Sequence, residues 1–488
     1  MGTSGVDLVL PLVLLAAVVA VAAYTYLTRR RRTTTRTTPH GGVPVPEVAE
    51  LDARSRDALV ATDDAVRTSR EELGFAVALA GHTAARRCAE ALAHAEAELT
   101  AAFHLRQEVD DARLEDEVAR RTMLEEVLAR CAEADAALDD AAPDADALRG
   151  LPGAAPEAVG AARRLHGELD ARLGTAEAAL VAIRRRYAES AAAPVATAPE
   201  QARARLDFAA DRLARALAPG ADAVRELRAA EGALDQAARL VEAVDRRAME
   251  LAESAGRLPG ALAEAEADLA AAQKVLAGVA ETELVEWMSR ADLRGRTARL
   301  EAVLGDVRQS VEADRHDPVD ALRRVCEADA ALDAALAEVR GPGEVARRAR
   351  AFLGLALLSA RSAVGAAGEY VATHRGVVRS PARTRLAEAR RQLAEAETAV
   401  GAETLEHRED ALPLAQGADG LARSAQALAE QDVRLHGPPP ATATGPDLTA
   451  LAVLGGILLP GGGPARFGGP ATRGRTAAGP GNPSGEVS

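Results

Sequence analysis

Apolar and polar residues follow three regimes along this chain. From Leu8 to Leu27 no side chain is charged, and leucine, valine and alanine dominate. A helix rising about 1.5 Å per residue needs about 20 such residues to cross a hydrocarbon layer, so 8–28 is predicted as one membrane-spanning helix. After a break over 29–46 the period becomes helical, with Leu51, Leu59, Val66 and Leu73 in heptad-like spacing. This regime holds over 47–436. Alternation of β-branched residues never persists, so strands are not predicted. The third regime, 437–488, opens on Pro438-Pro439-Pro440 and is rich in glycine and proline. Disorder is predicted there, apart from a short apolar segment, 448–459, too short to span.

Within the helical region a short pattern recurs. Ala134-Asp135-Ala136-Ala137-Leu138-Asp139 returns as Ala230-Glu231-Gly232-Ala233-Leu234-Asp235 and as Ala328-Asp329-Ala330-Ala331-Leu332-Asp333, with a weaker copy at Ala418-Asp419-Gly420-Leu421. The acidic anchors lie 96, 98 and 90 residues apart. Upstream stripes at Val224, Leu227, Ala230 and Leu234, and at Leu322, Val325, Ala328 and Leu332, place each copy's apolar residues on one helix face. Breakers are expected at Pro143, Pro152 and Pro156, at Pro219-Gly220, at Leu258-Pro259-Gly260, at Asp317-Pro318 and at Gly341-Pro342-Gly343. The expected fold is therefore all-α: an N-terminal transmembrane helix, then tandem long-helix bundles or coiled-coil hairpins with a period of about 95 residues. Because the chain breaks at Pro438-Pro439-Pro440, the last unit is expected to be incomplete.

Charge sets the predicted topology. Met1 to Val6 carries no basic residue, whereas Arg29, Arg30, Arg31, Arg32 and Arg36 follow the apolar run. A cleaved signal peptide has its positive charge ahead of the apolar core, so an uncleaved anchor is the better reading, despite Val21-Ala22-Ala23. Basic residues beside a span stay in the cytoplasm. A short extracytoplasmic N-terminus (1–7), a basic Thr/Pro-rich linker (29–46) and a cytoplasmic body in the cell membrane's single-pass class are expected. The net charge of −14 and an aromatic content of 2% argue against nucleic acid, which asks for a basic face and stacking rings. Cys88, Cys131 and Cys326 are too few and too scattered for a disulfide framework.

The sequence carries no recognisable motif for catalysis, a cofactor or a metal. The one lysine, Lys274, lacks the glycine loop and Ser/Thr of a P-loop. His94 and His104 read as surface residues, and no close Cys/His spacing suits zinc. Asp63-Asp64, Asp110-Asp111 and Glu115-Asp116-Glu117 do not fit a calcium loop and read as solvated helix faces. Glu71 and Glu72 with Arg67 and Arg70 read as surface ion pairs. Trp287, with Leu284 and Met288, reads as core. No catalytic residue, cofactor or small-molecule substrate is therefore assigned.

The stretches Leu51-Asp52-Ala53-Arg54, Thr62-Asp63-Asp64-Ala65-Val66-Arg67-Thr68-Ser69, Glu71-Glu72-Leu73-Gly74-Phe75, Leu99-Thr100-Ala101-Ala102-Phe103, Ala425-Gln426-Ala427-Leu428-Ala429-Glu430-Gln431-Asp432-Val433 and Gly455-Gly456-Ile457-Leu458-Leu459 carry a resemblance. Together with the order span, arginines, helices and glycine-rich tail, they resemble the region after the TPM domain in TPM-domain membrane proteins of high-GC bacteria. In that family a signal peptide and an outer TPM domain precede the span; here only Met1 to Val6 does, so no TPM residue carries a role onto this chain. The expectation is a non-enzymatic membrane scaffold that binds a protein partner or itself. The alternative is the cytoplasmic part of a transmembrane signalling protein whose outer domain is lost or lies upstream of the gene start.

Overall fold

A computed structural model describes residues 46–111, 116–218, 222–278, 290–313, 315–336, 342–401, 405–436 and 465–473. The chain divides into two compact units, 1–50 and 51–488. The described part of the first is 46–50, where helix α1 (Val48–Ala80) begins. The predicted membrane helix 8–28, its arginines, and Trp287 lie outside the described residues. Among the described residues, no helix is long and apolar enough to cross a membrane, and no strand occurs.

Among its described residues the larger unit is built of helices, joined by turns and the short non-helical segment 465–473. Helices α2 (Arg86–Asp111) and α3 (Glu117–Arg149) join α1 around one core. Then come α4 (Leu151–Arg186), a single turn α5 (Glu189–Ala192), α6 (Ala198–Arg215) and α7 (Ala223–Gly278). They are followed by α8 (Arg290–Glu312), α9 (Pro318–Leu336), α10 (Pro342–Thr373), α11 (Ser380–Gly401) and α12 (Leu405–His436). A second core joins α4, α6 and the first half of α7. A third joins the second half of α7 to α8 and α9, with Leu355 and Leu358 of α10. The fourth group is α10, α11 and α12. Alanine recurs throughout these cores: Ala230 and Ala233 of α7, and Ala422, Ala425 and Ala429 of α12, are fully enclosed. A methyl side chain lets backbones approach closely, so burial is achieved with few large residues.

Helix boundaries follow caps more than prolines. Asp116 accepts a hydrogen bond from the Val118 N–H at 2.9 Å and starts α3. Asp317 accepts from the N–H groups of Val319 and Asp320 at 3.1 and 3.2 Å ahead of Pro318, and starts α9. Three expected breaks are corrected. Pro143 lies inside α3 and Pro156 inside α4, while Pro152 occupies the first turn of α4, where a missing N–H costs least. The break falls instead at Gly150, whose φ of +48° ends α3. Likewise Pro259 does not end a helix: α7 runs 56 residues through it, about 84 Å at 1.5 Å per residue. Leu251, Ser254, Leu258, Ala261 and Ala265 are buried on both sides of Pro259. Tertiary burial of this kind outweighs the ~3 kcal/mol that an interior proline costs.

The recurring motif takes a definite place. It lies on α3, on the first half of α7, on α9 and on α12, which is the last helix of each group. The fourth group accordingly has its three helices, and the expectation of an incomplete last unit is corrected. So is disorder over part of the tail. Phe467 is 1% exposed and belongs to the core of the first group. The Gly468 N–H donates to Ser69 Oγ at 3.1 Å, and the Thr472 N–H to Asp139 Oδ1 at 3.1 Å. Two glycines permit this: Gly468 has φ +140°, and a Cβ on Gly469 would meet the Asp135 carbonyl oxygen at 2.4 Å. Glycine-rich composition alone predicts too little buried surface for order, but Phe467 is seated in an existing core supplied from outside the segment.

Candidate functional site

Beside its apolar core contacts, helix α1 is joined to its surroundings through charged side chains. Near its middle, Asp63 and Asp64 meet two arginines that lie more than 300 residues away. Arg375, in the turn after α10, donates from Nε to Asp64 Oδ1 at 2.5 Å and lies 2.6 Å from Asp63 Oδ2. Arg383 of α11 donates from Nη1 to Asp63 Oδ2 at 2.8 Å and Asp64 Oδ1 at 2.7 Å. Its Nε and Nη2 are held by the carbonyls of Val378 and Arg375. Burial pushes the Asp63 carboxyl up, but the two guanidiniums prevail and hold it down at about 2. The first and last groups of helices are therefore joined by charge, and the reading of Asp63-Asp64 as a solvated face is corrected.

A second knot joins α1, α3 and α7. Arg149, 1% exposed, meets both Glu72 and the motif residue Glu231. Arg228 meets Glu72 at 3.3 Å and Asp146 at 3.4 Å. The Arg149 guanidinium also lies 5.6 Å from the Phe75 ring centroid. Glu71, Glu72 and Arg67 are each 8% exposed, so they are not the surface pairs the sequence suggested. Burial raises Glu231 to about 7, with Glu72 adding to the rise and Arg149 opposing it. Of the other motif acids, Asp329 and Asp419 are buried and Asp135 is partly buried. Burial raises Asp135 to about 6 against a hydrogen bond donated by Thr62 Oγ1. Asp419, raised by burial, accepts from Ser359 Oγ at 2.9 Å. Asp329 is 1% exposed.

Between α1, α2, α7, α10 and α11 lies a cleft of about 620 Å³. Nine arginines line it against three carboxylates, Asp63, Glu96 and Glu369, which makes it a basic recess in a chain of net charge −14. Most of these arginines are held from behind: Arg67 by Glu71 at 2.8 Å, Arg239 by Asp235 at 2.7 Å, Arg361 by Glu397 at 2.7 Å, and Arg391 by Glu388 at 2.6 Å. Arg70 pairs with Glu96, and Arg246 with Glu369. Arg390 differs. It is exposed to the water of the cleft, and among the described residues it has no hydrogen-bond or ion-pair partner. Burial lowers its pKa, with Asp63 opposing and the charges of Arg375, Arg70 and Arg67 adding to the fall. Gly365 and Gly368 of α10 leave room for the cations: a methyl at Gly368 would lie 2.8 Å from Arg390 Nη2, and one at Gly365 3.1 Å from Arg246 Nε.

Over 419 residues the chain is 32% identical to the UPF0603 proteins MT2410 and Rv2345, from two strains of Mycobacterium tuberculosis. The match covers 84% of this chain and 61% of each relative, so the chain spans about three fifths of their length. No family model matches, and no solved structure matches.

Sequence reasoning missed the cleft. Its arginines come from α1, α7, α10, α11 and the turn after α10, and no local spacing connects them. His104 and His94 are only partly covered, the former 3.1 Å from Glu388 and the latter 3.6 Å from Glu133. Among the described residues no group of His, Cys, Asp or Glu is arranged to hold a metal. Cys88, Cys131 and Cys326 are free thiols.

Proposed function

We propose that this chain is a non-enzymatic, membrane-tethered helical scaffold whose working surface is the arginine cleft. Residues 8–28 would cross the cell membrane once, with the N-terminus outside. Arg29, Arg30, Arg31, Arg32 and Arg36 would hold the helices on the cytoplasmic side. The observation that carries the reading is the joining of the first and last helical groups by Asp63, Asp64, Arg375 and Arg383. It fixes a basic recess at a place to which distant helices contribute. Partners that fit are an acidic protein surface or a second copy of this acidic chain. The test is fractionation of cells expressing the full chain and a form lacking 8–28, followed by cross-linking of the membrane fraction. The full chain should resist alkaline extraction, the shortened form should not, and a cross-linked species should disappear on Arg375→Glu. Release of the full chain by alkali overturns the tether; a cross-linking pattern indifferent to Arg375 overturns the surface.

The greater length of the UPF0603 relatives favours a second reading. In it the helices are the inner part of a transmembrane signalling protein whose outer domain is encoded upstream. Peptides from upstream of Met1 in the native protein would support it.

A further inference from the structure

We propose that the arginine cleft binds a phosphate monoester carrying an apolar substituent, with Arg390 as its principal phosphate ligand. The inference rests on the cleft being the working surface and adds the chemistry of what occupies it.

Among the described residues, Arg390 is a cation with no hydrogen-bond or ion-pair partner. A guanidinium presents five N–H donors and no acceptor, and it pairs with carboxylates wherever they are in reach, as its neighbours do. Arg70 reaches Glu96 at 2.8 Å, and Arg375 reaches Asp63 and Asp64. Arg390 sits amid the fields of Arg67, Arg70 and Arg375 with Asp63 as the opposing charge. Gly368 is the residue that leaves it this position, because any side chain there would press on its Nη2. Repulsion among gathered guanidiniums costs free energy that an anion at their centre offsets.

The shape of the recess selects the kind of anion. Cations approach from several helices, so an acceptor with oxygens in three directions and up to two charges fits better than a planar carboxylate with one. The wall beside them is apolar: Leu99 and Phe103 of α2, Val364 of α10, and Leu386 and Leu393 of α11 line the same cavity. A pocket that joins an apolar wall to a few convergent charges holds a ligand with a polar head and an apolar body. Inorganic phosphate would satisfy the first part alone. A soluble organic phosphate and the headgroup of a phosphatidic acid share the required chemistry.

The experiment is titration calorimetry on the full chain in mild detergent with phenyl phosphate, inorganic phosphate and benzoate, and co-sedimentation with phosphatidylcholine vesicles with and without phosphatidic acid. Three proteins are compared: the wild type, Arg390→Ala, and Arg54→Ala, which removes an exposed arginine outside the cleft. The expected result is binding of phenyl phosphate that is tighter than that of inorganic phosphate or benzoate, weakened about tenfold or more by Arg390→Ala and unchanged by Arg54→Ala. The tenfold scale follows from one charge-assisted contact. Arg390 has no hydrogen-bond or ion-pair partner among the described residues, so its loss should leave the helices intact, which circular dichroism checks. Binding confined to phosphatidic acid vesicles and lost in Arg390→Ala supports the proposal with a lipid source. Absence of binding to every probe, equal binding of benzoate and phenyl phosphate, or equal weakening in both variants overturns it. Fractionation and cross-linking read the scaffold proposal separately, so the failure of one can be told from the failure of the other.

Discussion

Replacing Glu231 by glutamine separates two views of a buried ion pair. Glu231 is 4% exposed and lies against Arg149. In one view the pair stabilises the fold, and breaking it by removing one charge costs about 3–5 kcal/mol. In the other, burial and the adjacent Glu72 make the carboxylate form unfavourable, which raises Glu231 from an ordinary 4.5 to about 7. A native pKa above the unfolded one means that the folded protein holds the proton more tightly. The associated stability is fully present below pH 4.5 and is lost as pH rises through about 7. The span of about 2.5 pH units corresponds to about 3 kcal/mol at 1.36 kcal/mol per unit. Glutamine imitates the protonated acid, and its Oε1 still accepts from Arg149. The variant should match the wild type at about pH 4 and exceed it by up to about 3 kcal/mol at about pH 8. Scanning calorimetry at both pH values reads this as an upshift of several degrees at the higher one, at about 2–4 °C per kcal/mol for a domain of some 150–250 residues. Asp135 and Asp419 titrate in the same direction but are common to both proteins, so the difference isolates Glu231. A variant less stable than the wild type at about pH 8 would refute the reasoning and favour the ion pair.

Other outcomes follow from the packing. Arg383→Ala should destabilise by about 2–4 kcal/mol, somewhat below a fully buried pair, because Asp63 and Asp64 remain 22% and 28% exposed and keep Arg375. Hydrogen exchange should show α1 and α11 opening together, and unchanged protection would count against their joining. Leu227→Ala in the second core should cost about 2–5 kcal/mol, whereas Leu217→Ala, at a position 52% exposed, should stay within about 0.5 kcal/mol; equal denaturation midpoints would contradict the core assignment. Cys131 is 1% exposed, and burial pushes its thiol up to about 12, so it should resist alkylation at neutral pH. Phe467→Ala should speed its alkylation by loosening the tail from the core that both residues share, and an unaltered rate would mean that the tail contributes nothing to that core.

The local pattern carried much of the architecture. The 3.6-residue period and the alanine-leucine composition determined an all-helical chain, because amphipathic periodicity is a property of neighbours in sequence. The recurring acidic motif marked the last helix of each group. Leu227, Leu234, Leu322 and Leu332 of its stripes are all buried. What failed was whatever depended on partners far away in sequence. Pro143 and Pro259 are locally helix-breaking, yet cores supplied by other helices carry α3 and α7 through them. Asp63 and Asp64 look solvated until Arg375 and Arg383 arrive from the other end of the chain. The motif acids carry no local sign that packing encloses them. The cleft is the extreme case, since charge is a sequence property but its convergence is not. Only the tertiary structure could decide that arginines scattered through an acidic chain would face one recess and leave Arg390 without a carboxylate, because that depends on which helix faces meet.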